Sequence, residues 1–360
     1  MSAMPAPDLP TLRWGIIATG LISSWFVKDL VLDRPDAKAR HIIKAIGSSS
    51  REKGQVFAQQ YCPQEPPSIY GSYQEVYADP SVDIVYIGTP HAFHVRNCLD
   101  AIAHGKHVLC EKAFTLNASQ AREVFAAAKD RGVFVMEAMW TRFFPLMRDL
   151  QVKIHEENVI GRVQRVFCDF SLDMDIDSLP DDSRLKNPDL GAGSLLDIGI
   201  YSLTWGLLAA DPNIASKAQM PSILASQKLA NGADVATSAI LSYPNGVQSI
   251  VTSSLSFATA PQFCRIEGTE GFIILEGPGT SVPEKFTVHS KARDGDATAE
   301  ARTFIFDKPG MGFYWEADAV AIDISEGRTE NEIMPWGETI RVLEILDEVR
   351  RQGGARYSCD

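Results

Sequence analysis

His107-Val108-Leu109-Cys110-Glu111-Lys112-Ala113-Phe114-Thr115 is the stretch that organises the chain. Val108-Leu109-Cys110 is a short apolar run with the length and make-up of a buried parallel strand. It stops abruptly at Glu111-Lys112. In an open parallel sheet, ligands sit in the crevice beyond the carboxyl ends of the strands. A lysine at that edge can touch a cofactor and a substrate together, whereas the same pair on a free surface is simply solvated. The surrounding sequence chooses between these readings.

Upstream, Leu12 to Ile17 reads as a strand entering Ala18-Thr19-Gly20-Leu21-Ile22-Ser23, followed by a helix through Trp25 and Phe26 to Leu32. A dinucleotide fingerprint, G-x-G-x-x-G/A, belongs at this place. Small residues hold all three of its positions as Ala18, Gly20 and Ser23, so the backbone can still approach a pyrophosphate at the helix start. The second strand, His41 to Ile46, ends in Gly47-Ser48-Ser49-Ser50-Arg51 without the acid that would grip a ribose 2′-hydroxyl. Hydroxyls and a guanidinium there suit a 2′-phosphate and favour NADP over NAD. The competing reading is a serine turn that caps the next helix.

The alternation continues through a strand at 82–88 with Thr89-Pro90-His91 at its end, a helix from Phe93 to His104, the central strand, a helix from Ala118 to Arg131, and a strand at 133–136. Strands alternating with helices of this length make right-handed βαβ units and a doubly wound parallel sheet, an α/β Rossmann unit. His91 and His94 lack partners at metal-ligand spacing, so they read as turn residues that contact a cofactor or cap.

The pattern changes near Glu137. After one helix, Leu146 to Glu157, strand-like segments dominate from Val163 to Phe306, and two helices, about Tyr314–Glu326 and Trp336–Gln352, close the chain. This predicts an α+β domain on a large, mostly antiparallel open sheet. Such a sheet leaves a face to cover, and a homodimer through that face is expected. The domains are expected at 1–140 and 141–360. Within the second, glycines at 191 and 193 precede a helix carrying Asp197 and Tyr201 four residues apart, on one face. Those two are either a general acid/base constellation or a buried hydrogen-bonded pair.

Composition narrows the partners. The net charge of -12 and the absence of a basic run argue against nucleic acid. Six scattered cysteines without a CxxC pair fit a reducing, cytoplasmic setting with no metal site. Asp173-x-Asp175-x-Asp177 fails as a calcium loop, because its sixth position is Ser178 and its twelfth Arg184. The first ten residues lack the basic and apolar regions of a secretory signal, and no apolar run suggests a membrane span.

Taken together, the Rossmann start, Thr89-Pro90-His91, Glu111-Lys112 and Gly191-Ala-Gly193-x-Leu-x-Asp197-x-Gly-x-Tyr201 resemble the Gfo/Idh/MocA oxidoreductases over nearly the whole chain. Met136 to Pro145, with Trp140, Arg142 and Phe144, and the tyrosine at 201 resemble the branch of dimeric dihydrodiol dehydrogenases and NADP-dependent D-xylose dehydrogenases. Ser48–Ser50, Leu109 to Thr115 and Asn187 to Leu190 are most similar to the fungal D-xylose 1-dehydrogenases. Two positions depart from the family pattern: Ala113 replaces the proline of Glu-Lys-Pro, and Ala18 the first fingerprint glycine.

The resemblance implies oxidation of an aldopyranose, D-xylose first and D-glucose second, at C1 to the aldonolactone with NADP. Trans-dihydrodiol oxidation and glucose–fructose oxidoreduction are the rival activities, and a non-catalytic dinucleotide-binding regulator is the remote one. It further implies Tyr201 as base with its pKa lowered by Lys112, Asp197 as a sugar ligand or orienter of that lysine, and Trp140, Arg142 and Phe144 around the sugar. Cofactor contacts are expected from Ala18, Thr19, Gly20, Leu21, Ile22, Ser48, Ser49, Ser50, Arg51, Thr89, Pro90, His91, His94, Glu111 and Lys112.

Overall fold

A computed structural model describes residues 9–291 and 300–360; the first residues of the chain, read above as carrying no secretory signal, lie for the most part outside the described residues. The first half is built from β1 (Thr11–Ile17), α1 (Leu21–Leu30), β2 (Arg40–Gly47), α2 (Arg51–Tyr61), β3 (Ser68–Tyr70), α3 (Tyr73–Ala78), β4 (Ile84–Ile87), α4 (His94–Ala103), β5 (His107–Glu111), α5 (Ala118–Arg131) and β6 (Val135–Ala138). Its sheet has the order β3-β2-β1-β4-β5-β6, parallel throughout. β4, and β5 from Val108 on, are buried at every position, which is why they read as unbroken apolar runs. The order reverses between β1 and β4, so the ligand crevice opens beyond the ends of those two strands.

The second half starts with α6 (Pro145–Gln151), shorter than the expected helix because a π-helical turn, Val152–Glu156, completes the span. Then follow β7 (Val163–Ser171), α7 (Ile200–Ala210), β8 (Ser222–Ala230), β9 (Ala233–Ser242), β10 (Gln248–Ser254), β11 (Gln262–Gly268), β12 (Gly271–Glu276), β13 (Lys285–Ser290), β14 (Ala301–Ile305), α8 (Tyr314–Ser325) and α9 (Trp336–Gly353). Eight strands form one sheet in the order β14-β13-β12-β11-β7-β10-β9-β8, with β7 and β10 parallel and the other pairs antiparallel. α7 covers the inner face against β7 and β10 and is buried along its whole length, so it is apolar on all sides.

A seam of aromatic rings joins the halves. Tyr86 of β4 stacks on Phe26 of α1 at 3.8 Å, Phe26 meets Phe313 edge-on, and Phe313 stacks on Trp140 at 4.0 Å. Asp29 of α1 fastens the same seam by accepting the backbone N–H groups of Met311, Gly312 and Phe313, at the start of α8.

Candidate active site

The turn after β1 is shaped to receive a phosphate group. Ala18 adopts a left-handed backbone with φ of 76°, the conformation for which the fingerprint favours glycine. Gly20 caps α1 without any side-chain hydrogen bond, no acid lies in the first turn, and a Cβ placed on Gly20 would meet no atom within 4 Å. An open helix N-terminus of this kind binds anions through its free N–H groups. Leu21 projects into solvent and Ile22 packs partly against the core.

The end of β2 stands beside it. Thr19 Oγ1 and Ser48 Oγ are 3.1 Å apart, and Ser48 is buried. Ser50 caps α2 by accepting the Lys53 N–H, as the competing reading of this turn required. Ser49 takes the Lys53 ammonium at 3.3 Å. Arg51 stays exposed, with its guanidinium on Glu75 at 3.0 Å and on the Ile69 carbonyl.

At the ends of β4 and β5 the structure separates residues that the sequence grouped. Thr89 is buried and accepts from Asn97. His94 is wholly enclosed: Nε2 lies 2.8 Å from the Thr89 carbonyl and Nδ1 3.1 Å from those of Ala113 and Phe114. Its expected cofactor contact is therefore corrected to a staple between the loops after β4 and β5. Burial pushes its pKa down to about 3, so it is neutral. His91 is also buried, with Nδ1 3.0 Å from the Gly191 carbonyl and Nε2 3.1 Å from that of Lys112. Pro90, between Thr89 and His91, is half-buried. The Lys112–Ala113 peptide is cis although no proline is present.

Lys112 leaves β5 and reaches across to the second half. Its ammonium donates to the Asp197 carbonyl oxygen at 2.6 Å, stands 3.6 Å from Asp197 Oδ1, and lies 5.1 Å from the centre of the Tyr201 ring. Asp197 sits on a π-helical turn, Leu195–Gly199, that leads into α7, rather than on the expected continuous α-helix. That turn is anchored from below by Asp234, which accepts from Ser194 Oγ and the Leu195 N–H. Burial alone would raise the Asp197 pKa, but the charges of Lys112 and Arg184 bring it down to about 2, so it is a carboxylate.

Tyr201 is buried, and its hydroxyl accepts the Trp140 indole N–H at 2.6 Å. Burial first, and the Glu111 charge second, hold its pKa well above 10. This corrects the expected lowering by Lys112, whose ammonium lies over the ring and makes no hydrogen bond to the hydroxyl. Glu111 is buried beneath the site, takes the Tyr86 hydroxyl on Oε1, and has its own pKa raised by burial.

Two residues expected at the sugar lie elsewhere. Arg142 is buried on Glu338 of α9 at 2.8 Å, in a cluster completed by Arg341, so its charge is consumed inside the protein. Phe144 is buried behind Trp140, edge-on to it at 5.4 Å and packed on Trp315. Conversely, sequence reasoning missed Arg184, whose half-exposed guanidinium reaches Asp197 Oδ1 at 3.3 Å, and Glu316. The latter is fully buried, has neither oxygen paired among the described residues, and lies within electrostatic reach of Glu111, Tyr86 and Tyr201. No local motif marks either one.

The lysine, carboxylate and phenol converge beyond the carboxyl ends of a parallel sheet whose first helix is open to phosphate. That combination defines a dinucleotide-dependent oxidoreductase. The model of the oxidoreductase family with an NAD-binding Rossmann fold matches residues 12–139, and that of the family's C-terminal domain matches 152–274. The chain belongs to the Gfo/Idh/MocA oxidoreductase family. It is 38% identical to a D-xylose 1-dehydrogenase (NADP(+)) from Hypocrea jecorina, over 96% of this chain and 93% of the relative. It is 33% identical to a trans-1,2-dihydrobenzene-1,2-diol dehydrogenase from Xenopus tropicalis, over 96% and 99%. A solved 3-ketoreductase from Actinomadura kijaniata superposes with a TM-score of 0.79 at 22% identity, covering 95% of this chain and 98% of that one, which supports the fold.

Proposed function

We propose that this enzyme oxidises an aldopyranose, D-xylose in first place and D-glucose in second, at C1 to the aldonolactone with NADP+. The observation that carries the reading is the convergence of Lys112, Asp197, Tyr201 and Trp140 on one point of the cleft. Its likeness to the D-xylose enzyme supports the substrate class. NADP fits the residues present: the uncapped α1 for the pyrophosphate, and the hydroxyls of Ser48, Ser49 and Ser50 with the exposed Arg51 guanidinium, which would turn from Glu75, for a 2′-phosphate. When bound, NADP+ supplies the hydride acceptor.

The chain's own residues position the sugar and manage its proton. Lys112 presents a fixed ammonium to the C1 oxygen as negative charge develops there. Asp197, ionised across the working range, accepts a sugar hydroxyl and keeps the lysine in place. Tyr201 begins protonated, so it is set to donate to an oxyanion, and it accepts the C1 hydroxyl proton only after giving its own to solvent hydroxide. Oxidation therefore gains from alkaline pH. Trp140 forms an apolar wall of the sugar pocket and orients the phenol.

We assign residues 1–140 to the cofactor unit and 141–360 to the substrate and dimer unit, in a reducing cytoplasmic setting; Cys168 and Cys264 lie opposite each other on β7 and β11 as free thiols. The outer face of the large sheet is the proposed homodimer surface. A register row of Leu224, Ile240, Ile250, Phe167, Arg265 and Ile274 crosses six strands of it. Light scattering of Ile240→Glu against the parent tests this: a dimer that persists in the variant refutes the surface.

The decisive assay follows NADPH formation by the purified protein with D-xylose, D-glucose and a trans-dihydrodiol in turn, and repeats each with NAD+. Turnover on a pentose with NADP+ is expected. Turnover with NAD+ alone would remove the phosphate-site argument, and turnover only on the dihydrodiol would replace the substrate.

A further inference from the structure

His91 sits where the two halves of the molecule meet. Its ring spans two backbone carbonyls, with Nδ1 3.0 Å from Gly191 O and Nε2 3.1 Å from Lys112 O. One carbonyl belongs to the residue that carries the ammonium, and the other to the glycine loop that leads into Asp197. The contact leaves no slack: Gly191 has φ of 80°, and a Cβ added there would fall 2.7 Å from His91 Cβ and 2.8 Å from Leu116 Cδ2.

A histidine that served a nucleotide would turn a ring nitrogen toward it, but both nitrogens here face backbone carbonyl oxygens. Carbonyl oxygens only accept, and a neutral imidazole has a single N–H to give. The groups that bear on its charge are Asp197 and Arg184 from across the cleft, Lys112 from β5, and His94 from its own turn. Burial keeps the ring neutral, so the tautomer selects which carbonyl is held while contact and packing retain the other.

We propose that His91 is a positioning residue that ties the Lys112 backbone to the Gly191 loop and so sets the separation of Lys112 and Asp197. It rests on the reading of Lys112 and Asp197 as the groups that meet the substrate. Displacing a reacting group by about 1 Å costs on the order of a hundredfold in rate, so a clamp on the backbone of one partner acts on turnover without touching the sugar.

The test measures kcat, and KM for both NADP+ and D-xylose, in full-length His91→Phe, His91→Gln and Gly191→Ala, with Lys112→Ala as the control for the site. His91→Phe is expected to lose about tenfold to a hundredfold in kcat while KM for NADP+ stays within about twofold. Gly191→Ala presses on the same contact without altering the imidazole and should show the same split. His91→Gln, which keeps one N–H donor, should recover part of the loss. A raised KM for NADP+ with unchanged kcat in His91→Phe would overturn the proposal in favour of a cofactor contact, and wild-type kinetics in both His91→Phe and Gly191→Ala would overturn it outright. If Lys112→Ala turned over like the parent, the reading of the site itself would fall, and the clamp with it.

Discussion

Arg142→Met separates a sugar ligand from a fastening of the fold. In the structure the Arg142 guanidinium and the Glu338 carboxylate are 2.8 Å apart, with side chains 3% and 0% exposed. Burial would raise the Glu338 pKa, yet the hydrogen bonds from Arg341 and the charges of Arg142 and Arg341 hold it at about 2. Breaking a buried pair by removing one partner costs about 3–5 kcal/mol. The lower end applies here, because Arg341 and the Ala215 N–H still hold the carboxylate. With about 2.1 cal/mol/K of unfolding entropy per residue, a unit of about 220 residues loses roughly 2 °C of Tm for each kcal/mol, so a fall of roughly 6–7 °C is expected. Calorimetry of the variant gives Tm, and initial rates give KM for the sugar, which should stay within about twofold because Arg142 does not face the cleft. A raised sugar KM with an unchanged Tm would refute the argument and return Arg142 to the pocket.

Three further outcomes are expected. The rate of sugar oxidation should rise with pH through the alkaline range, because burial and Glu111 keep the Tyr201 phenol protonated at neutrality; a flat profile from pH 7 to 10, or the same rise in Tyr201→Phe, would refute its role as proton acceptor. Glu137 is fully buried with its pKa pushed up to about 7 by burial, while Phe114 N–H donates to it. Its folded pKa lies above the unfolded one, so its contribution to stability is fully present below about pH 4.5 and is lost, by up to about 3 kcal/mol, as pH rises through 7. Glu137→Gln, followed by Tm against pH, should flatten that decline. Glu316 follows the same sign with neither oxygen paired, so Glu316→Gln should raise Tm at pH 8 by more than at pH 5; an equal change at both would show that the carboxyl does not stay protonated.

The parts legible in the sequence were those whose physics is local. β4 and β5 announce themselves as apolar runs because a parallel strand is covered on both faces, and a lysine directly after such a run lands at the ligand edge whatever follows. Asp197 and Tyr201 could be placed near it because four residues of helix keep them on one side, and the π turn altered that pitch without parting them. Arg142 could not be read, since its partner lies 196 residues away and an arginine beside aromatic residues looks the same whether it faces a sugar or an inner carboxylate. His94 is a similar case, as only the fold shows that three carbonyls converge on it. The direction of the Tyr201 shift is also hidden: Lys112 lies over the ring, but enclosure and the Glu111 charge outweigh it.

The run of rings from Tyr86 through Phe26 and Phe313 to Trp140 has a mechanical consequence. Stacked aromatic faces at 3.8 and 4.0 Å, packed at the density of an organic crystal, compress very little. They act as a strut between the two sheets, and the last ring of the strut bears directly on the Tyr201 hydroxyl through the Trp140 indole. The back wall of the cleft is therefore stiff. We expect accommodation of sugars of different size to fall to the side that carries Arg184, the half-exposed one of the two cations on Asp197, which can swing aside while Lys112 stays in place.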